Sequence, residues 1–372
     1  MSPDADARYM ALALSLGARG QGCVWPNPAV GCVIVKDGRI VSRGWTAPGG
    51  RPHAEPLALA RAGAAARGAT VYVSLEPCAH HGATPPCAEA LVAAGVGRVV
   101  TALEDPDPRV AGRGHAILRA GGVEVVSGVL EDAARRAHRG FLLNRAEGRP
   151  ALMLKLATSF DGRIATATGE SQWITGPEAR RAVHALRARH DAVMVGAGTA
   201  RADDPELTVR GIGAPRQPVR VVCSRRLDLP CDGRLAQTAS EVPLWLCHGP
   251  DAEPERIAAW QDLGARPMTV PVGPGGQLDA PALLRALGAA GLTRVFCEGG
   301  GSLAATLLSA GLVDELVGFT AGLALGAEGQ PGLGALGLDR LAAAPRFRLV
   351  EARAVGGDVM HRWDRVTGAI ER

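Results

Sequence analysis

The chain has 372 residues, 47% of them apolar and 21% charged, with 41 basic side chains against 37 acidic ones. That composition excludes a disordered chain, a collagen-like repeat and a coiled coil, and no apolar run reaches the roughly 18–20 residues that cross a bilayer. A net charge of +4 is too mild to argue for nucleic acid, and the polar, acidic start (Ser2, Asp4, Asp6) has no basic region ahead of an apolar stretch, so the cytoplasm is the expected location.

The length suggests two domains. In the first, apolar β-rich runs at 29–35, 70–75, 98–103 and 123–126 alternate with Ala-rich helical stretches at 7–18, 54–66, 87–94 and 114–120. An amphipathic stretch at 131–143 leads into NRAEGRP at 144–150, which reads as a linker and sets the domains at 1–147 and 148–372. The alternation then restarts. Strands are expected at 152–157, 192–195, 219–223, 244–247 and 294–297, and helices at 177–189, 281–287 and 302–310. Such alternation implies α/β layers in both halves.

The strongest local signal lies in the first half: His53-Ala54-Glu55, then Pro77-Cys78, then Cys87. One imidazole and two thiolates give zinc three protein ligands and keep the fourth tetrahedral position for water, the catalytic arrangement. Zinc lowers the pKa of that water to about 7, which makes hydroxide available at neutral pH. Glu55, two residues from the ligand, suits proton transfer to a ring nitrogen and a leaving amine. His-x-Glu with a later Pro-Cys is the signature of zinc-dependent base deaminases. His53 and Cys87 would each open a helix, where the dipole favours thiolate. A structural zinc site is the competing reading, but a fourth ligand at close spacing is missing, and His80 and His81 are assigned to a loop facing the substrate. With eight cysteines in a long chain, free thiols or ligands are expected rather than disulfides.

Eight residues separate Cys78 from Cys87, against the Cys-x-x-Cys usual in nucleobase deaminases. With PCAHHGATPPC at 77–87, WPNPAVGCVIV at 25–35, SLEPC at 74–78 and DPDPRVAGRG at 105–114, this half resembles the bifunctional deaminase–reductase family of riboflavin biosynthesis. The resemblance implies a cytidine-deaminase-like α/β/α domain, in which Asn27, His80 and Asp105 contact the pyrimidine or its ribose phosphate. Three positions depart from the family pattern: Thr46 where His is common, Ala83 where Lys or Arg is common, and Asp107 where Asn is common. Ala83 has no charge to offer a phosphate, so Arg51 or Arg109 would have to supply it.

The second half opens with ALMLKLATSFDG at 151–162, a strand carrying Lys155, one of only two lysines in the chain. GESQWITG (169–176), VGAGTARADDPELTVR (195–210) and FCEGGGSLAATLL (296–308) follow. The last reads as strand, glycine turn and helix, whose free amides suit a cofactor phosphate. A G-x-G-x-x-G between an early strand and helix is missing, so the usual dinucleotide fold is not expected. The set resembles the reductase half of the same family, an α/β domain similar to dihydrofolate reductase. By that resemblance Lys155, Ser171, Arg187, Leu207, Arg210 and Glu298 face the phosphoribosyl substrate. Ala157, Trp173, Thr199, Asp203, Ser224, Gly300, Gly301, Ser302, Leu303, Ala304, Ala305 and Thr306 face NADPH.

Paired arginines suit a phosphate, and the Lys155 ammonium suits charge stabilisation or proton donation. The plainer readings are a solvated strand-end lysine, a core aromatic at Trp173, a packing change at Phe160 (Leu in the family), and a solvated helix face for Arg180 and Arg181. The resemblance further implies zinc and NADPH as cofactors, a phosphoribosylated pyrimidine as substrate, and a homodimer or homotetramer. A deaminase acting on another base, with the second half a scaffold, and a zinc-stabilised interaction protein are the alternatives.

Overall fold

The computed structural model describes residues 2–81, 85–108, 110–214 and 216–366. The chain divides into two compact units, Met1–Gly148 and Arg149–Arg372. Among the described residues no helix is long and apolar enough to cross a membrane.

In the first unit β1 (Gly31–Lys36) and β2 (Arg39–Trp45) form a hairpin. Its two turn residues, Asp37 and Gly38, both have positive φ (50° and 73°), the geometry of a two-residue turn that matches strand twist. β3 (Thr70–Val73), β4 (Arg98–Thr101) and β5 (Glu124–Val126) complete a five-stranded sheet of order β2-β1-β3-β4-β5. β1 runs antiparallel to β2 and β3, while β3, β4 and β5 are parallel. Consecutive residues Val71, Tyr72 and Val73 are all buried, so both sheet faces are covered. Two glycines let helices lie directly on the sheet. A Cβ on Gly31 would stand 1.9 Å from the Ala13 carbonyl oxygen, and one on Gly44 2.3 Å from that of Ala54. The bond from Tyr72 to Asp6 (2.7 Å), with Arg98 gripping both Asp6 oxygens (2.9 and 2.8 Å), ties the first helix to β3 and β4.

The second unit adds β6 (Ala151–Ser159), β7 (Arg163–Ala165), β8 (Ala192–Gly196), β9 (Val219–Cys223), β10 (Leu244–His248), β11 (Arg266–Thr269), β12 (Arg294–Gly299), β13 (Glu315–Ala321), β14 (Gln330–Pro331), β15 (Phe347–Val355) and β16 (Asp358–Arg365). Nine of them form a sheet of order β11-β10-β9-β8-β12-β6-β13-β16-β15, parallel from β11 to β13 and antiparallel thereafter. Its middle strands are continuous apolar runs, as a sheet buried on both faces requires. In open α/β sheets ligands gather at the carboxyl ends of such strands.

All nine expected strands are present, with ends displaced by a few residues. The expected linker is not one up to residue 147. Arg139–Glu147 is a helix, separated from the helix Glu131–Ala137 by His138, and it ends at Gly148 with φ 67°. Polar spacing at 144–147 hides a helix whose apolar contacts, through Phe141 and Leu142, lie in its first turn. The helices Ala197–Asp203 and Pro254–Asp262 and strands β2, β7, β11 and β13–β16 were not foreseen.

Candidate active sites

His53 is the residue just ahead of the helix Ala54–Ala62, and Glu55 lies buried in its first turn. Cys78 lies in the segment after β3, and Cys87 opens the helix Cys87–Ala93. Two helix N-termini therefore meet where the chain order suggested. His53 Nδ1 is 3.3 Å from Cys87 Sγ and 3.7 Å from Cys78 Sγ, and the three donor atoms lie within 4.8 Å of one another. Tetrahedral zinc, with bonds of about 2.3 Å to sulfur and about 2.05 Å to nitrogen, sets such a nitrogen and sulfur roughly 3.6 Å apart. The donor set fits zinc in chemistry and spacing. The Cys87 N–H also donates to Cys78 Sγ at 3.3 Å, which favours thiolate. A hydrogen bond from the Cys87 thiol, followed by one from His53, holds Cys78 well below the usual thiol range. Burial, with the Cys78 charge second, pushes Glu55 up to about 7.

Asn27, His80 and Asp105 line the same cavity as His53, Glu55 and Cys78, together with Thr46, Asp107 and Arg145. His80 Nδ1 is buried with no hydrogen-bond partner among the described residues. Thr46 is spent on the backbone. Its hydroxyl oxygen accepts from Val30 N–H (3.0 Å) and its O–H donates to the Pro28 carbonyl (3.1 Å), bracing the loop that carries Asn27. Ala83 and Arg109 lie outside the described residues. Glu76 was not foreseen. Its buried carboxylate accepts from the N–H groups of Asp105 (3.2 Å), Gly112 (3.0 Å) and His115 (3.2 Å), and so pins the segment that brings Asp105 and Asp107 to the cavity. Glu76, Glu104 and His115 also cluster closely enough to hold a metal. Those three amides, and the 2.9 Å contact of His115 Nε2 with Thr101 Oγ1, make the cluster a structural latch. The only sequence signal for Glu76 was its place in SLEPC.

In the second unit, the neighbouring strands β6 and β12 bring Lys155 and Glu298 together, Nζ 3.9 Å from Oε2. Arg187, at the end of the helix Pro177–Arg187, bonds Glu298 through Nε and the Thr208 carbonyl through Nη1 (2.8 Å). Burial lowers the Lys155 pKa, with Glu298 opposing. Burial raises Glu298, but Arg187 and Lys155 bring it below the usual carboxylate value. Lys155 is thus a half-buried member of a charge cluster, and the solvated-face reading fails. Leu207 is buried with φ 55°. Arg210 is exposed, ion-paired with Glu206, and its backbone N–H donates to His184 Nδ1 (3.2 Å).

Around the glycine turn, Gly299 and Gly300 have φ of 86° and 79° and the helix Gly301–Ser309 follows. A Cβ on Gly300 would meet Thr199 Oγ1 at 3.0 Å, so Thr199 sits against the turn. Asp203 closes the same short helix as Thr199, and the Lys155 charge acts on it. In the helix after the turn, Ser302 is exposed, Leu303 and Thr306 are half-buried, and Ala304 and Ala305 are buried in the core. Ala157 on β6 packs against buried apolar residues, and Ser224 Oγ, after β9, donates to Asp228 (3.0 Å). Ser171 and Trp173 lie in the loop ahead of the helix Pro177–Arg187. Trp173 is no core aromatic: it is 67% exposed, with the Arg180 guanidinium 4.5 Å from its ring centre. That contact corrects the solvated reading of Arg180. Phe160 is 80% exposed, which rules out a packing role within its unit.

Residues 3–103 match the cytidine and deoxycytidylate deaminase zinc-binding region, and residues 150–361 match the RibD C-terminal domain. The chain is 44% identical over 367 residues to the riboflavin biosynthesis protein RibD of Escherichia coli K12, covering 95% of this chain and 98% of that protein. It is 37% identical to the RibD of Aquifex aeolicus, covering 97% and 98%. Among solved structures it superposes on Acinetobacter baumannii RibD with a TM-score of 0.87 at 38% identity, covering 98% of this chain and 100% of the other. The Thermotoga maritima diaminohydroxyphosphoribosylaminopyrimidine deaminase/5-amino-6-(5-phosphoribosylamino)uracil reductase gives 0.84 at 32% identity, covering 98% and 99%. With a zinc-binding group at His53, Cys78 and Cys87 in a deaminase-like unit and a reductase unit behind it, the chain belongs to the RibD family of bifunctional riboflavin biosynthesis proteins.

Proposed function

We propose that residues 1–147 deaminate 2,5-diamino-6-(5-phosphoribosylamino)pyrimidin-4(3H)-one and residues 148–372 reduce the ribosyl group of 5-amino-6-(5-phosphoribosylamino)uracil to ribityl with NADPH, in the cytoplasm and as a homo-oligomer, a dimer or tetramer. The observation that carries the reading is the convergence of three zinc donors at a cavity lined by His53, Cys78 and buried Glu55, on a chain that also assembles Lys155, Arg187 and Glu298.

Zinc held by His53, Cys78 and Cys87 supplies a Lewis acid that makes water nucleophilic near neutral pH. Glu55 takes one proton of the attacking water and hands it to the pyrimidine nitrogen, then takes the remaining hydroxyl proton and hands it to the amine as the C–N bond breaks, so that the amine leaves as ammonia and the carbon keeps the oxygen. Asn27, His80 and Asp105 orient the base and its ribosyl group.

In the second site Arg187 and Arg210 take the substrate phosphate, with Ser171, Leu207 and Glu298 completing the pocket. NADPH supplies the hydride that reduces C1′ of the opened sugar. Lys155, kept close to Glu298, donates the proton that balances it. Ala157, Trp173, Thr199, Asp203, Ser224 and the stretch from Gly300 to Thr306 would hold the cofactor, with the free amides of Gly301, Ser302 and Leu303 at the helix start suited to its phosphate. Ala304 is buried and its N–H is bonded to the Gly300 carbonyl (3.0 Å), so Ala304 and Ala305 would support the site by packing the helix that carries the free amides.

The test offers the purified chain the diaminopyrimidine phosphate with and without NADPH. Ammonia release in both samples, and NADPH oxidation only after deamination, supports two consecutive reactions. Ammonia release without any NADPH oxidation would leave a deaminase joined to a scaffold.

A further inference from the structure

We infer that Arg145 takes the substrate phosphate in the deaminase cavity, an inference that rests on the cavity accepting a phosphoribosylated pyrimidine. The cavity is lined by four carboxylates, Glu55, Glu76, Asp105 and Asp107, a hostile setting for a phosphate. Among the described residues lining it, the only permanent cations are Arg51 and Arg145. Ala83 brings no charge from the cysteine loop, where the family pattern commonly has Lys or Arg.

Position separates the two arginines. Arg51 is two residues from His53 in the chain, so it belongs to the metal end. The carbon that loses its amine must lie at that end. The phosphate hangs from the other end of the ribosyl group. Arg145 comes from a separate element, the helix Arg139–Glu147. Its Nε approaches Asp107 Oδ2 at 3.9 Å, and its guanidinium carbon stands 5.3 Å from the Phe141 ring centre. One face of the guanidinium is thus supported by an aromatic ring, while the 3.9 Å approach is too long to saturate its N–H edge. The planar fork remains suited to two parallel bonds to a phosphate. The same approach accounts for Asp107, an acid where the family commonly has Asn: its carboxylate orients Arg145.

The experiment compares KM and kcat for deamination of the phosphorylated substrate and of its dephosphorylated ribosylamino counterpart, in the parent chain, Arg145→Gln and Arg145→Lys. Zinc content and reduction of separately supplied deaminated substrate are measured on the same samples. Removing a charged, two-pronged interaction predicts a KM about tenfold or more higher for the phosphorylated substrate in Arg145→Gln. The dephosphorylated compound should be unaffected, kcat within about twofold, and reduction and zinc unchanged. Arg145→Lys should fall between parent and Gln. If Arg145→Gln loses zinc, Arg145→Lys decides by the same criterion. A KM unchanged for both substrates, or raised equally for both, overturns the assignment. A parent chain that fails to deaminate the phosphorylated substrate at all overturns instead the reading beneath it.

Discussion

Glu55 carries the heaviest demand of any single side chain. It is buried in the first turn of its helix, two residues from a metal ligand, and no other carboxylate is as near to that ligand in the chain. Glu55→Gln keeps the size and the helix but removes the carboxylate proposed to carry the proton. Deamination should fall by about 10²–10⁴-fold while zinc content and reduction stay at parental values. Deamination at the parental rate would remove Glu55 from the chemistry. At this scale the sequence was informative where a donor type and its spacing define the chemistry, as at His53, Cys78 and Cys87. It was uninformative for Glu76, which acts on backbone amides contributed from 29 to 39 residues away. Arg145 was hidden because it lies in a stretch whose polar spacing resembles a linker.

Among elements, the helix Ala54–Ala62 places both His53 and Glu55, and it can do so only because β2 offers it Gly44. A Cβ there would approach the Ala54 carbonyl oxygen to 2.3 Å and the Ala58 nitrogen to 2.9 Å, both backbone atoms that cannot swing aside. Gly44→Ala should therefore destabilise the first unit by about 1–3 kcal/mol, the usual cost of overpacking. It should also depress deamination more than reduction, read from a urea titration and the two assays together. Equal losses in both activities would mean that the helix is not held this way. Most strands that the sequence disclosed are buried apolar runs, β5 being the half-exposed exception. Among those it concealed are β13, interrupted by Gly318, and β15 and β16, whose exposed and charged residues break the apolar pattern. The helix Ala197–Asp203, which carries Thr199 and Asp203, was hidden by its Gly-Thr-Ala start.

For the molecule as a whole, stability and activity should separate by unit. In the second unit His190 is buried, its Nδ1–H donating to the Leu186 carbonyl at 2.7 Å. Burial, helped by Arg294, lowers its pKa from 6.5 to about 3. The unfolded chain therefore binds a proton that the folded chain refuses. The stabilisation is complete above about pH 6.5 and is lost as pH falls from there toward 3, at up to about 1.4 kcal/mol per unit. Urea midpoints of the second unit should fall between pH 6.5 and 5, and His190→Phe should flatten that slope. His184 and His361, also lowered by burial, keep part of it. A slope identical in the variant would show that His190 does not set it.

Both α/β layers and the order of the two activities were legible from alternating patterns and motifs, because each unit buries its own sheet. What folding alone supplies is the meeting of distant segments, such as residues 155, 187 and 298. Removing and restoring the metal tests the central claim most directly. Chelation should abolish ammonia release from the diaminopyrimidine phosphate, stoichiometric zinc should restore it, and NADPH oxidation on separately supplied deaminated substrate should continue throughout. Deamination that survives complete removal of zinc, or reduction that falls in step with it, would contradict the account.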